Sequence, residues 1–169
     1  HVRCYFFKQK TQYESRLSLV GSEMCIKEIT SPNSLVLSQQ PPIPISIINL
    51  ERDSARWNRV DAEFTKKKVP RGQIQRLEAV YGKDLSKEDL EANASLAARL
   101  FCTLGTIGCY LSHRKYWEMV ADGDSPYQIV FEDDVVLVEN FYEQAQAMVQ
   151  ELEDHEDTKD QWDVLLLGG

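Results

Sequence analysis

The sequence lacks several short motifs that identify common functional classes. Among its four cysteines no pair has Cys-x-x-Cys spacing, which argues against a zinc or redox motif. It contains neither a Gly-x-Gly-x-x-Gly fingerprint nor a P-loop. No apolar run approaches the roughly 18 residues that span a bilayer. Basic residues number 19 against 27 acidic ones, and the net charge of −8 argues against non-specific binding to nucleic acid.

What is present suits one soluble globular domain. The chain has 169 residues, of which 43% are hydrophobic and 27% charged. Cys102 and Cys109 flank a predicted helix start, and we expect both to be small core residues. The other two cysteines give no indication of the compartment.

Residues 1–40 differ from the remainder. Residues 1–27 show no sustained helical or strand period. The stretch Phe6–Glu14 resembles the conceptual translation of sequencing-adapter DNA, and residues 31–44 are rich in Ser, Pro and Gln, as in a linker. We therefore expect residues 1–40 to be a non-native or disordered leader and residues 41–169 to be a partial domain, with both termini artificial.

From residue 44 onwards, apolar periodicity and capping residues predict strands that alternate with helices. The predicted strands are residues 45–50, 73–80, 128–131 and 162–167. The first predicted helix starts at Asp53 or Ser54. The second runs from Ser86 to about Arg99, the third from about Thr106 to Ala121, and the fourth begins near Phe141. This alternation predicts an α/β fold with a mostly parallel sheet covered by helices.

The acidic triplet Glu132-Asp133-Asp134 follows a buried strand and precedes further apolar residues. Three adjacent carboxylates repel one another, and a shared Mg²⁺ or Mn²⁺ ion with phosphate ligands would relieve that repulsion. The triplet also falls at a strand's carboxyl end, where ligands of open α/β sheets bind. The alternative is a solvated turn, although the triplet has no Gly, Pro or Asn.

Two arginines follow the first predicted strand of the domain. Arg52 and Arg56 are placed where a nucleotide diphosphate could be bound, and Arg forms bidentate hydrogen bonds with phosphate. The alternative for Arg56 is an ordinary surface position on a helix.

The predicted helix from Thr106 carries a second group of candidate residues. Gly108 and Ser112 are small and one turn apart, which allows close approach of a neighbouring element. Tyr110, His113 and Trp117 share a helix face by their spacing. A structural role is favoured for His113, and a catalytic role is the alternative because imidazole side chains can exchange a proton near neutral pH.

Five motifs, in this order, resemble glycosyltransferase family 25. They are Ile47-Ile48-Asn49-Leu50-Glu51-Arg52, Ala79-Val80-Tyr81-Gly82, Gly105-x-x-Gly108-Cys109-x-Leu111-Ser112-His113, Glu132-Asp133-Asp134, and Trp162-Asp163-Val164-Leu165-x-Leu167-Gly168. That family includes lipopolysaccharide glycosyltransferases and procollagen galactosyltransferases. The resemblance covers residues 44–169 and implies a GT-A-like nucleotide-sugar-binding fold, here C-terminally truncated. Tyr81 departs from the family, which often has Asp there.

The resemblance implies roles for the acidic triplet and the arginines. Glu132, Asp133 and Asp134 correspond to the DxD metal motif and would hold Mn²⁺ or Mg²⁺. Arg52, Arg56 and Asp133 would contact the nucleotide-sugar donor. The implied reaction is the inverting transfer of a hexose, with galactose from UDP-galactose as the candidate, and the sequence assigns no catalytic base.

The acceptor would be a hydroxyl on a glycan, lipopolysaccharide or collagen-like hydroxylysine. The implied compartment is the endoplasmic reticulum lumen or Golgi for a eukaryotic protein, and the cytoplasm or membrane periphery for a bacterial one. The alternative function is a non-catalytic binding module, and we expect this chain to be inactive by itself. A receiver-like phosphoacceptor domain is disfavoured because the strand before Arg52 does not end in paired acids.

Overall fold

A computed structural model describes residues 42–158 and 161–166 in full, and residues 4–8 by their backbone. The strands of this described part are β1 (Cys4–Lys8), β2 (Ile45–Asn49), β3 (Ile74–Glu78), β4 (Tyr127–Glu132) and β5 (Val164–Leu166). Its α-helices are α1 (Ser54–Lys66), α2 (Lys87–Asn93), α3 (Leu96–Phe101), α4 (Leu104–Asp122) and α5 (Phe141–Asp154). Two 3₁₀ helices, Arg71–Gln73 and Gly82–Asp84, precede and follow β3.

The strands form one sheet in the order β3-β2-β4-β1-β5. β2 is parallel to β3 on one side and to β4 on the other, so three neighbouring strands run in the same direction. α1 lies in the connection from β2 to β3, and α4 lies in the connection from β3 to β4. Parallel neighbours need such long crossovers, which is why the helices separate them in sequence. The predicted α/β fold with a parallel sheet and covering helices is confirmed.

One face of the sheet packs against α1 and α5. Ile47 of β2 and Phe131 of β4 are buried there, because alternate residues of a strand point to the same side. Phe131 makes edge-to-face contacts with Phe64 of α1 and Phe141 of α5, at ring-centroid distances of 5.5 and 5.2 Å. Such aromatic pairs contribute about 1 kcal/mol beyond their buried area.

The opposite face of the sheet packs against α4. Ile48 of β2 and Val130 of β4 form a second buried cluster with Tyr116 and Val120. The two central strands therefore have helices on both faces, which explains the continuous apolar runs in their sequences.

The predicted helix from Ser86 to Arg99 is two helices. Its start is confirmed, since Ser86 and Asp89 form the predicted capping box. The helix ends at Asn93 because Ala94 is extended, and Ser95 then caps α3 by accepting a hydrogen bond from the backbone N–H of Ala98 at 3.2 Å. A serine side chain that can satisfy a free backbone donor favours such a restart.

β1 lies within the segment that the sequence analysis left outside the fold. Its backbone pairs antiparallel with β4 on one side and with β5 on the other. Residues 4–8 are therefore part of the sheet. The suspected adapter origin of the leader, and the domain boundary at residue 41, stay predictions, and residues 9–41 lie outside the described residues.

Among the described helices, none is both long enough and apolar enough to cross a membrane. The longest of them, α4, has 19 residues but includes buried polar side chains and several charges.

Candidate functional site

The candidate site lies at the carboxyl ends of β2 and β4. The chain passes from β2 to β3 on one side and then back past β2 to β4 on the other, so the strand order reverses between β2 and β4. A crevice at such a switch point is where open α/β sheets bind ligands. β2 ends at Asn49, β4 ends at Glu132, and Asp133 and Asp134 follow directly. The acidic triplet thus begins at the end of a central strand, as predicted.

Asp133 is the buried member of the triplet, with 8% of its surface exposed. One carboxylate oxygen accepts a hydrogen bond from Nδ2 of Asn49 at 2.6 Å, and the other accepts from Nη1 of Arg56 at 2.8 Å. Two donors, one of them cationic, stabilise a buried carboxylate that would otherwise be costly to desolvate. Asp133 therefore connects the end of β4 to the end of β2 and to the first turn of α1.

Asn49 extends this network to β3. It is almost fully buried, and its Oδ1 accepts a hydrogen bond from Nε of Arg76 at 2.9 Å. Arg76 also donates to the carbonyls of Leu50 and Glu51, and its guanidinium lies 5.1 Å from the centre of the Trp57 ring. The three parallel strands are therefore cross-connected at their carboxyl ends by polar side chains.

Arg56 lies in the first turn of α1, which Asp53 caps by accepting from the Arg56 backbone N–H at 3.1 Å. The hydrogen bond and the negative charge of Asp133 raise the pKa of Arg56 above its ordinary value. The side chain is half exposed, so solvent screens much of this attraction. The predicted partner of Arg56 was a phosphate, and its partner here is the acidic triplet itself.

Arg52 is exposed beyond the end of β2 and contacts an aromatic ring. Its guanidinium carbon lies 3.0 Å from the centre of the Tyr81 ring, in a cation–π arrangement. Tyr81 follows β3, so this pair lies beside the carboxyl ends of β2 and β3. The residue that departs from the family pattern therefore contacts a predicted donor-binding arginine.

Glu132 is directed to a different set of partners from Asp133. Its Oε1 lies 3.1 Å from Nε2 of His113 and 3.8 Å from Sγ of Cys109, both on α4. His113 is buried, as its favoured structural role requires, and its ring centre is 6.3 Å from that of Trp117. Tyr110 and Trp117 share this face but are exposed.

The start of α4 is fixed by close backbone contact with the segment after β3. A Cβ atom added at Gly82 would lie 1.7 Å from the carbonyl oxygen of Leu104, and one added at Gly108 would lie 2.6 Å from that of Val80. Ser112 is buried, and its hydroxyl accepts from the Val80 backbone N–H at 2.8 Å while donating to the Gly108 carbonyl. The close approach predicted from Gly108 and Ser112 is confirmed.

The structure separates the three acids that were predicted to bind one metal ion. Asp134 is exposed, Asp133 is buried against Asn49 and Arg56, and Glu132 faces α4. Across residues 42–158 and 161–166, the one group of three potential ligands that converges is Cys109, His113 and Glu132. The metal-binding roles of the triplet, and the donor-binding roles of the two arginines, stay predictions.

Two expectations about cysteine are wrong. Cys102 and Cys109 are exposed thiols rather than small core residues. The buried residues at the start of α4 are Ile107, Gly108 and Ser112, whereas Cys102 precedes that helix and Cys109 lies beside Glu132 at the end of β4.

Comparison with known proteins identifies the family. The sequence profile of glycosyltransferase family 25 (LPS biosynthesis protein) matches residues 43–164. Inactive glycosyltransferase 25 family member 3 of Homo sapiens is 39% identical over 66 residues, which are 39% of this chain and 11% of that protein. Procollagen galactosyltransferase 2 of Mus musculus is 28% identical over 132 residues, which are 73% of this chain and 20% of that protein.

A further relative, procollagen galactosyltransferase 1-A of Xenopus laevis, is 25% identical over 135 residues, or 73% of this chain and 21% of that protein. The chain therefore spans between 11% and 21% of the length of these relatives. Because the family profile covers well over half of the residues, the chain belongs to glycosyltransferase family 25.

Proposed function

We propose that the crevice at the ends of β2 and β4 binds the diphosphate of a UDP-hexose, and that it serves transfer of the hexose to an acceptor hydroxyl. Family membership supports a transferase. The observation that carries the proposal is the position of Asp133 and Asp134 at the switch point of the sheet. Asp133 is held there by Asn49 and Arg56, and Asp134 is exposed beside it.

The donor set fits a hard divalent cation that shares its ligands with the nucleotide sugar. Mg²⁺ and similar ions are commonly held by one or two carboxylates together with substrate phosphates. Asp134 offers an exposed carboxylate for Mn²⁺ or Mg²⁺, with Asp133 as the adjacent candidate. When bound, such an ion would supply Lewis-acid stabilisation of the departing nucleotide diphosphate.

The arginines of the crevice would orient the donor. A guanidinium has five N–H donors, so Arg56 can keep its bond to Asp133 and still donate to a phosphate oxygen. Arg52 is exposed on the same edge of the sheet, where its positive charge would favour the same anion. Asp133 thereby acts as a positioning residue, since it sets where the Arg56 side chain lies.

The sugar and the acceptor are proposed from the relatives. Two of them are named procollagen galactosyltransferases, which supports galactose as the hexose and a collagen-like hydroxyl as the acceptor. The family description supports a glycan of lipopolysaccharide as the other acceptor class. An inverting transfer needs a base beside the acceptor hydroxyl, and we assign none of the described residues to that role. The compartment stays a prediction.

A second candidate function is a binding module without catalysis. The relative that is 39% identical carries the name of an inactive family member, as do its counterparts from other mammals. A chain that keeps the crevice but lacks the acceptor-side base would bind the donor without transferring its sugar.

The experiment uses a version of the protein extended to the length of its relatives, because we expect this chain to be inactive by itself. It measures UDP binding and UDP release from UDP-galactose, each with Mn²⁺ and with a chelator. Mn²⁺-dependent binding with metal-dependent release of UDP supports the transferase, and Asp134→Ala should abolish both. Metal-dependent binding without release supports the binding module. Absence of UDP binding under both conditions would contradict both functions.

A further inference from the structure

The end of α4 nearest the crevice carries a second cluster of potential metal ligands, separate from Asp133 and Asp134. Cys109 and His113 are one helical turn apart on α4, so their side chains project from the same face. Glu132, the last residue of β4, lies opposite them. The Sγ, imidazole nitrogen and carboxylate oxygen of these residues all lie within 4.8 Å of one another.

The spacing of these atoms is close to that of ligands around a tetrahedral zinc ion. With ordinary zinc–ligand bond lengths, a tetrahedron separates nitrogen from oxygen by about 3.4 Å and sulfur from oxygen by about 3.6 Å. The observed distances are 3.1 Å from Nε2 of His113 to Oε1 of Glu132, and 3.8 Å from Sγ of Cys109 to the same oxygen. These two distances are within a few tenths of an ångström of the tetrahedral values, the Cys109 sulfur lies within 4.8 Å of the His113 ring nitrogen, and the exposed Cys109 side chain can move towards it.

We propose that Cys109, His113 and Glu132 bind a borderline divalent metal ion of the Zn²⁺ class. Thiolate and imidazole ligands favour zinc over the hard ions Mg²⁺ and Mn²⁺, which prefer oxygen. Three protein ligands leave one tetrahedral position for water or another ligand. The site is therefore chemically different from the oxygen-only site proposed for the nucleotide-sugar donor.

Metal binding would deprotonate Cys109 and replace the direct contact between His113 and Glu132. The Cys109 thiol gives its proton to solvent and binds as thiolate, so metal uptake releases a proton. His113 binds as neutral imidazole through Nε2, with its proton on Nδ1, and the direct contact between His113 and Glu132 is replaced by two bonds to the metal. No oxidation or reduction is involved.

The cluster lies next to the crevice, but the two sites do not share a ligand. Glu132 and Asp133 are consecutive, and Asp133 contacts Asn49 and Arg56 instead. A metal on Glu132 would join α4 to the end of β4, one residue before the acids that face the donor. Cysteine spacing alone gave no indication of this site, because only one of its ligands is a cysteine.

The test is a titration of the metal-free, reduced 169-residue chain with Co²⁺, a spectroscopic substitute for Zn²⁺. We expect one equivalent to bind with a thiolate-to-cobalt charge-transfer band, and Zn²⁺ to abolish that band by displacement. Cys109→Ser should lose the band and bind Zn²⁺ at least ~10-fold more weakly, and Glu132→Gln should also bind at least ~10-fold more weakly. Cys109 is exposed, so the serine variant should keep the circular dichroism of the parent.

Two variants serve as matched controls. Cys102→Ser removes another exposed thiol nearby and should keep the band and the affinity. Asp134→Asn removes the acid proposed for the donor site and should keep both as well. No band with the parent chain, or a band that survives Cys109→Ser, would overturn the proposal. A band lost in Cys102→Ser would overturn it equally, since the thiolate ligand would then be Cys102.

Discussion

Glu132 and Asp133 are neighbours in sequence, but they belong to different parts of the molecule. Glu132 faces α4 and contacts His113 and Cys109, whereas Asp133 faces the end of β2 and contacts Asn49 and Arg56. The cause is that β4 ends between them: Glu132 is the last residue of the strand, and Asp133 begins the turn that follows it. A run of acids in a sequence is therefore not by itself one cluster of acids in space.

The Asp133 side and the Glu132 side of the site also differ in the contacts that fix their positions. On the Asp133 side, polar side chains from three parallel strands bond to one another. On the Glu132 side, position depends on the close backbone contact between Gly82 and the start of α4. Loss of a hydrogen bond on the Asp133 side should therefore lower the free energy of unfolding. On the Glu132 side, a side chain added at Gly82 should lower it.

The largest effect is expected for Gly82→Ala. The new Cβ would lie 1.7 Å from the Leu104 carbonyl oxygen, so α4 must move away and His113 must leave Glu132. We expect a loss of at least about 3 kcal/mol in the free energy of unfolding, measured with urea. Gly72→Ala is the control, because an added Cβ there has no atom within 4 Å, and it should change stability by less than about 0.5 kcal/mol. Equal effects of both would show that α4 does not depend on this contact.

The next effect is expected for Asp133→Ala. The substitution removes the shorter of the two hydrogen bonds that Nδ2 of Asn49 donates, leaving the one to the Asp53 carbonyl at 3.3 Å, and it removes the nearer carboxylate partner of the half-exposed Arg56. We expect a loss of about 2 kcal/mol, most of it from the short hydrogen bond between Asn49 and the Asp133 carboxylate, since solvent screens the Arg56 pair. Asp134→Ala, at the exposed neighbour, should cost less than about 0.5 kcal/mol in the same urea series. A larger loss of stability for Asp134→Ala than for Asp133→Ala would show that Asp134 is the carboxylate that stabilises the fold.

A smaller effect is expected for His113→Ala. The buried imidazole contacts Glu132 and packs near Trp117, so its removal should cost about 1–2 kcal/mol of stability. His113→Gln, which keeps a polar group near Glu132, should cost less. Thermal melts combined with single-turnover release of UDP decide the role of this residue. A normal melt with lost turnover would make His113 catalytic and the structural interpretation wrong.

Local features of the fold were predictable because local residues determine them. The Asp53 cap of α1 and the capping box of α2 are side-chain-to-backbone contacts within four residues. The close approach at Gly108 and Ser112 followed from two small side chains one turn apart. The break at Ala94 was missed, although Ser95 is a recognisable cap for a new helix.

The candidate site was predictable only in part. The strand before the triplet was expected to end at Phe131, and it continues through Glu132, which turns that residue towards α4. Arg76 and Asn49 were missed as parts of the site because each acts through a partner 27 residues away or more. Asn49 lies in the first family motif, but the motif assigned it no role. Contacts between elements distant in sequence depend on strand order, which periodicity does not give.

The division of the acidic triplet is tested most directly by Mn²⁺ titration in the presence of UDP, on the parent chain, Asp134→Ala and Glu132→Gln. We predict that Asp134→Ala weakens UDP-dependent Mn²⁺ binding at least ~10-fold, because it removes a ligand. Glu132→Gln should leave that affinity within about twofold, because Glu132 faces His113 and Cys109 instead. Equal losses in the two variants would show that Glu132 and Asp134 bind the same cation, and would contradict the division.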